Sequence, residues 1–140
     1  MKNNRCTQQV TDKRIPFEEN SSKFILLNPT QLKIEKIQVD GCLYKKGTNA
    51  LRCDYAVNYK DTTIFIELKG AQIEHAVEQI ITTYKDAKFE INKTKHAVLV
   101  TTKIRKGGTS ISNLRDRLSQ QQIKLHLKNI KFEAEIETFL

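Results

Sequence analysis

At Gly70 the hydrophobic period of this chain changes, and that change limits the possible folds more than any other feature. Before it, residues 54–59 and 62–69 are rich in Tyr, Val, Ile, Phe and Thr, as strands are. After it, Ile73, Ala76, Val77, Ile80, Ile81, Tyr84 and Ala87 recur at helical spacing and predict an amphipathic helix over 72–88. His96-Ala97-Val98-Leu99-Val100-Thr101 then reads as one unbroken apolar run, the pattern of a parallel strand covered on both faces. Strand, long helix and buried strand in that order make a β-α-β crossover.

The remaining stretches fill out a mixed sheet. Residues 32–43 alternate apolar and polar with a phase slip near Lys36, as a bulged strand or two short strands would. Ile111, Leu114 and Leu118 predict a second helix, capped by Thr109 or Ser110. Residues 124–127 and 132–136 alternate again and predict edge strands. Residues 17–27 are read as a short, barely periodic helix ending at the Asn28-Pro29 break, and residues 1–16, polar and ending at Pro16, as poorly ordered. The expectation is a single α/β domain over 17–140, a central mixed sheet flanked by helices. A chain of 140 residues is long enough to bury a core without staples.

Composition narrows the class. Charged residues make up 29% of the chain, and its longest apolar candidate, Phe24-Ile25-Leu26-Leu27, falls far short of the roughly 20 residues of a membrane span. Met1-Lys2-Asn3-Asn4-Arg5 leads into polar sequence, so no secretory signal is expected and a cytoplasmic location is the default. Cys6, Cys42 and Cys53 are an odd number without C-x-x-C spacing, and with His75, His96 and His126 they supply no structural zinc site. They are expected to be free thiols. Cys42 and Cys53 could be neighbours across a sheet, but a reducing compartment argues against a bridge. The net charge of +8 favours a polyanionic partner. From Lys93 to Arg117 seven basic residues face one acid, Asp116. Within that stretch Lys103, Arg105, Lys106 and Arg115 are candidate phosphate contacts; a solvated basic loop is the other reading.

The chemistry concentrates in the hairpin at 54–69. A two-residue loop at Lys60-Asp61, or a four-residue one, pairs Asp54 with Glu67, whereas a three-residue loop slips the register by one. In the first register Asp54, Ala56 and Asn58 share a face with Thr63, Phe65, Glu67 and Lys69. Tyr55, Val57, Ile64, Ile66 and Leu68 take the other face, which suits packing under the 72–88 helix. Two opposed carboxylates, about 5 Å apart at Cβ, repel unless a cation lies between them. Oxygen ligands of that kind suit Mg²⁺ or Mn²⁺, and Lys69 beside them would orient water and offset charge at phosphorus. Phosphodiester hydrolysis needs these parts. Glu-x-Lys alone usually means two exposed charges; the weight comes from the combination. Asp40 is a further candidate acid or a turn aspartate beside Gly41. Gln79, flanked by Gln72 and His75 along one edge of the helix, is a candidate contact to substrate or water. His96 and His126 are read as structural.

Asp54 followed by Ile66-Glu67-Leu68-Lys69-Gly70 resembles the motif of the PD-(D/E)xK nuclease superfamily, whose fold is restriction-endonuclease-like. The resemblance covers roughly residues 39–101 and matches that superfamily's αβββαβ core except for its first helix. It implies that Asp54 and Glu67 are metal ligands, with the main-chain carbonyl of Leu68, and that Lys69 is the catalytic lysine. It implies a metal-dependent endonuclease acting on nucleic acid, DNA more than RNA, with one active site per domain, so that a double-strand break takes a homodimer. Cys53 stands where the motif has proline. The acid often found on the family's first helix could come only from Glu18 or Glu19. Gln79 and Tyr84 are one residue too far apart for the Gln-x-x-x-Tyr pattern of RecB-like members. Two other readings remain: a non-catalytic nucleic-acid-binding module, and a subunit that cuts only with a partner protein.

Overall fold

Residues with strand-like alternation pair into two sheets, and the two helical stretches cover one of them. In a computed structural model that describes residues 5–19, 21–45, 52–69, 73–102 and 111–140, the strands in chain order are β1 (Thr7–Val10), β2 (Arg14–Glu19), β3 (Ser22–Leu27), β4 (Ile34–Gln38), β5 (Tyr55–Tyr59), β6 (Thr62–Lys69), β7 (Thr94–Thr101), β8 (Ile123–Asn129) and β9 (Lys131–Glu135). Helix α1 (Ile73–Lys85) lies between β6 and β7, α2 (Ile111–Ser119) between β7 and β8, and a 3-10 turn (Ile136–Phe139) ends the chain. The larger sheet has the order β1-β4-β5-β6-β7-β8 and the smaller β2-β3-β9. Strands β4, β5 and β6 run antiparallel, while β6, β7 and β8 run parallel. The protein is a mixed α/β fold, mostly strand, with a mixed central sheet and two helices among the described residues.

Three layers result. Ala56, Phe65, Ala97 and Leu99 pack with Ala76, Val77 and Ile80 of α1 and Leu114 and Leu118 of α2. Val57, Ile64, Ile66, Leu68, Val98 and Val100 pack instead with Ile15, Phe17, Phe24, Leu26 and Phe139. This corrects the expected packing of α1, which lies on the Phe65 face and not on the Ile64-Ile66-Leu68 face. The more apolar face of β6, Ile64-Ile66-Leu68, is taken by the small sheet, and the helix packs on Phe65 of the more polar one.

The small sheet also replaces the short helix expected over 17–27. Arg14 to Glu18 alternates exposed and buried, with Ile15 and Phe17 inward, and pairs with β3 from Arg14↔Leu27 to Glu19↔Ser22. Pro16 is tolerated because β2 is an edge strand. The run ends where Asn28 closes a turn, its side chain bonded to both main-chain groups of Leu32 at 2.8 and 3.0 Å. The stretch read as poorly ordered contributes β1, paired with β4, and the first half of β2. No helix precedes the strands among the described residues.

The cysteine expectation is corrected as well. Cys6 and Cys42 form a disulfide joining the chain ahead of β1 to the turn after β4, and only Cys53 is free and buried. The two halves lie 36 residues apart, a pairing that spacing cannot reveal. Opening the bond by reduction, or by Cys6→Ser with Cys42→Ser, is expected to lower stability in urea by about 4 kcal/mol, the loop-closure value for such a separation. Coincident unfolding curves for oxidised and reduced protein would contradict this.

Candidate functional site

The β5–β6 hairpin has the expected two-residue loop. Tyr59 pairs with Thr62, Val57 with Ile64 and Tyr55 with Ile66. The paired register ends at Tyr55↔Ile66, one residue short of the expected Asp54–Glu67 pair. The main chain of Asp54 is held on both sides: its N–H donates to the Ile66 carbonyl at 3.1 Å, and its carbonyl accepts from Val39 at 3.0 Å. Its carboxylate Oδ2 accepts from the Leu68 N–H at 2.8 Å, which fixes the side chain against β6.

Glu67 is 1% exposed and Asp54 8%. Because Phe65 belongs to the helix-facing cluster and Ile66 and Leu68 to the opposite one, alternation sends Glu67 toward α1. Both carboxylates act on the buried Cys53 thiol. Burial pushes that thiol up most, and Glu67 and then Asp54 push the same way. Burial is also the chief reason that the Asp54 carboxyl is pushed up, to about 7, from its ordinary 3.8. The Leu68 hydrogen bond opposes the shift; the charge of Glu19, a side-chain hydrogen bond with Glu19 and the charge of Asp40 reinforce it.

Of the two acids proposed for a first helix, Glu19 is thus the one beside Asp54, and it comes from the end of a strand. Glu18 faces outward and pairs with Lys23. Asp40 bridges to Tyr44 in the turn after β4, close enough to act on Asp54. Lys69 closes β6 opposite Thr101 of β7, and nothing further is described of its side chain. Among the described residues no group of three or more His, Cys, Asp or Glu is arranged to hold a metal ion.

Gln79 and Thr101 complete this end of the sheet. Gln79 is buried under α1, and its Nε2 donates to the Arg52 carbonyl at 3.1 Å. Its Oε1 and the Oγ1 of fully buried Thr101 have no hydrogen-bond partner among the described residues. The opposite end of the same strands behaves differently. There Asn58, Thr63 and Asn92 bond to one another, to the Glu90 and Thr62 carbonyls and to Glu35. Buried polar groups are thus hydrogen-bonded at one end, while at the other two buried oxygens have no partner among the described residues.

A scaffold behind Asp54 had no signal in the sequence. The Arg52 guanidinium bonds Asp86 at 2.5 Å and lies over the Tyr44 ring, and the Thr83 hydroxyl accepts from the Cys53 N–H at 2.9 Å. Of the basic residues singled out, Lys103, Arg105 and Lys106 lie outside the described residues. Arg115 is exposed on α2, but its Nη1 donates to the Leu125 carbonyl at 2.7 Å, tying the helix to β8. Comparison of this chain with protein-family models, curated proteins and solved structures returned no match.

A carboxyl with a raised folded-state pKa binds its proton more tightly folded than unfolded. Its contribution to stability is full below pH 3.8 and lost as pH rises through about 7. In chelator, Asp54→Asn is therefore expected to raise the melting temperature by several degrees at pH 8 and to change it little below pH 4. Equal shifts at both values would show that Asp54 carries no such strain.

Proposed function

We propose that this protein is a divalent-metal-dependent nuclease with a restriction-endonuclease-like core, cleaving phosphodiester bonds in DNA rather than RNA. The observation that carries the reading is the pair of buried carboxylates, Asp54 and Glu67, at the end of one hairpin, with Glu19 and Asp40 acting on Asp54. Buried carboxylates with further acids acting on one of them suit a hard cation. The element order β4, β5, β6, α1, β7 supports the same core, without the superfamily's first helix.

Asp54 and Glu67, with the main-chain carbonyl of Leu68, would hold the ion, and Glu19 lies near enough to Asp54 to add an outer ligand. Mg²⁺ or Mn²⁺, when bound there, supplies Lewis acidity to the phosphate and keeps coordination positions for water and substrate oxygens. Lys69, at the next outward position of β6 with the same phase as Glu67, orients the attacking water and offsets the charge that develops at phosphorus. The Leu68 N–H holds Asp54 in place through the reaction. A double-strand break needs two such sites and therefore two copies of the chain.

A second reading has its own support: Glu67 is almost fully enclosed, as a purely structural carboxylate on a non-catalytic binding module would be. Cleavage of plasmid and oligonucleotide DNA in Mg²⁺ or Mn²⁺ separates the two. Lys69→Ala is expected to reduce the rate on the order of 10²–10³-fold while leaving DNA binding within a few-fold. Cleavage unchanged by that substitution, or absent from the wild type over a broad substrate panel, would exclude the hydrolytic reading.

A further inference from the structure

Strand β8 forms one edge of the large sheet, and its side chains divide between two faces. Ile123, Leu125 and Leu127 pack into the helix-side core. Lys124, His126 and Lys128 have the opposite phase and lie where the sheet edge meets β9 and the C-terminal turn. His126 packs against the rings of Phe132 and Phe139. Its Nε2 is 3.0 Å from Nδ1 of His96 on β7, and Nε2 of His96 is 2.8 Å from the Phe139 carbonyl. A carbonyl only accepts, so His96 donates from Nε2 and accepts at Nδ1, and His126 donates to it. Two neutral rings thus make one hydrogen-bonded chain.

The charged side chains that act on His126 are positive, while Glu133 on the adjacent β9 is paired with Lys131 and Arg14. His126 is held neutral, at about 4, by burial first and then by His96, Lys124, Lys128 of its own strand and Arg115 of α2. Neither Lys124 nor Lys128 has a carboxylate partner among the described residues; Lys128 instead lies over the Phe132 ring. Nearby Lys131, by contrast, is paired with Glu133 at 2.9 Å. Lysines on an edge strand also deter stray strand pairing, but that role does not require a neutral histidine pair at the centre of the patch.

Position connects the patch to the candidate site. The parallel register runs Lys69↔Thr101 and Thr101↔Asn129. Lys128 and Asn129 therefore stand at the same end of the sheet as Glu67, two strand spacings or roughly 10 Å from β6, with Lys128 on the face of Leu68 and Val100 and Glu67 on the other.

We infer that the Lys124–His126–Lys128 face of β8 binds the phosphodiester backbone of a nucleic-acid strand and leads it toward the Asp54–Glu67 end of the sheet. The destination of the strand rests on the nuclease reading; the binding does not. A bound phosphate offsets the positive charge around His126, so binding draws a proton onto the pair and strengthens as pH falls from 6 toward 4.

The test uses a fluorescent 20-base-pair DNA duplex in chelator, where no cleavage intervenes. Lys124→Glu with Lys128→Glu is expected to weaken binding 10- to 100-fold and to flatten the dependence of log affinity on log salt by about 2. Lys85→Glu, a charge reversal at the exposed end of α1, is expected to change affinity less than threefold. In the wild type, NMR titration of His126 is expected to move to higher pH by at least one unit when the duplex is added. A double variant that binds as the Lys85→Glu control does, an unmoved His126 titration, or no duplex binding by the wild type overturns the inference. Tight, β8-dependent binding without hydrolysis under Mg²⁺ upholds it and removes the catalytic reading instead.

Discussion

Burial of the central strands on both faces is the constraint from which the rest of this structure follows. With α1 and α2 over one side of β6 and β7 and the β2-β3-β9 sheet over the other, their middles admit only apolar side chains. A polar group there would lose its water without replacement, a cost of a few kcal/mol. Polar chemistry is therefore driven to the strand ends. At the amino end of β6 the Asn58, Thr63 and Asn92 network closes on itself. At the carboxyl end Asp54 and Glu67 are enclosed, Glu19 and Asp40 act on Asp54, and the Gln79 Oε1 and Thr101 Oγ1 lack hydrogen-bond partners among the described residues. In open α/β sheets the carboxyl ends of parallel strands are where ligands bind.

Precision at that end comes from the layers behind it. Asp54 is only half committed to β5: its main chain joins β4 and β6, and its carboxylate is bonded to the Leu68 N–H. Arg52, two residues before it, is anchored by Asp86, the Tyr44 ring and the Gln79 side chain. Thr83 of α1 bonds the intervening Cys53 N–H. The turn that carries Asp40 and Tyr44 is tied to the start of β1 through Cys6 and Cys42. Helix α1 thus does more than cover the sheet; it fixes the backbone that presents the acid. A group held this way needs little reorganisation when a ligand arrives.

The sequence made this end of the fold readable because two periods meet there. The change at Gly70 placed α1 correctly between two strands, and the Lys60-Asp61 spacing gave the hairpin register that the structure has. What stayed hidden has physical reasons. The apolar face of β6 is covered by the β2–β3 hairpin and not by the helix; Phe17 and Phe24 have strand spacing there where a helix was expected, and Ile15 lies in the segment expected to be poorly ordered. Glu19 was singled out, but on a helix, because a strand interrupted by Pro16 looks unpromising until it is known to lie at an edge. The Cys6–Cys42 pairing and the Arg52–Asp86 contact join positions 36 and 34 residues apart, and no local pattern encodes them.

The proposed hydrolysis depends on a cation finding the enclosed acids. A crystal of the full chain soaked in Mn²⁺ and measured at the manganese absorption edge tests that directly. The account expects one anomalous peak within bonding distance of the Asp54 and Glu67 carboxylates and the Leu68 carbonyl, lost in Asp54→Asn. A peak elsewhere, or none at saturating Mn²⁺, would contradict it.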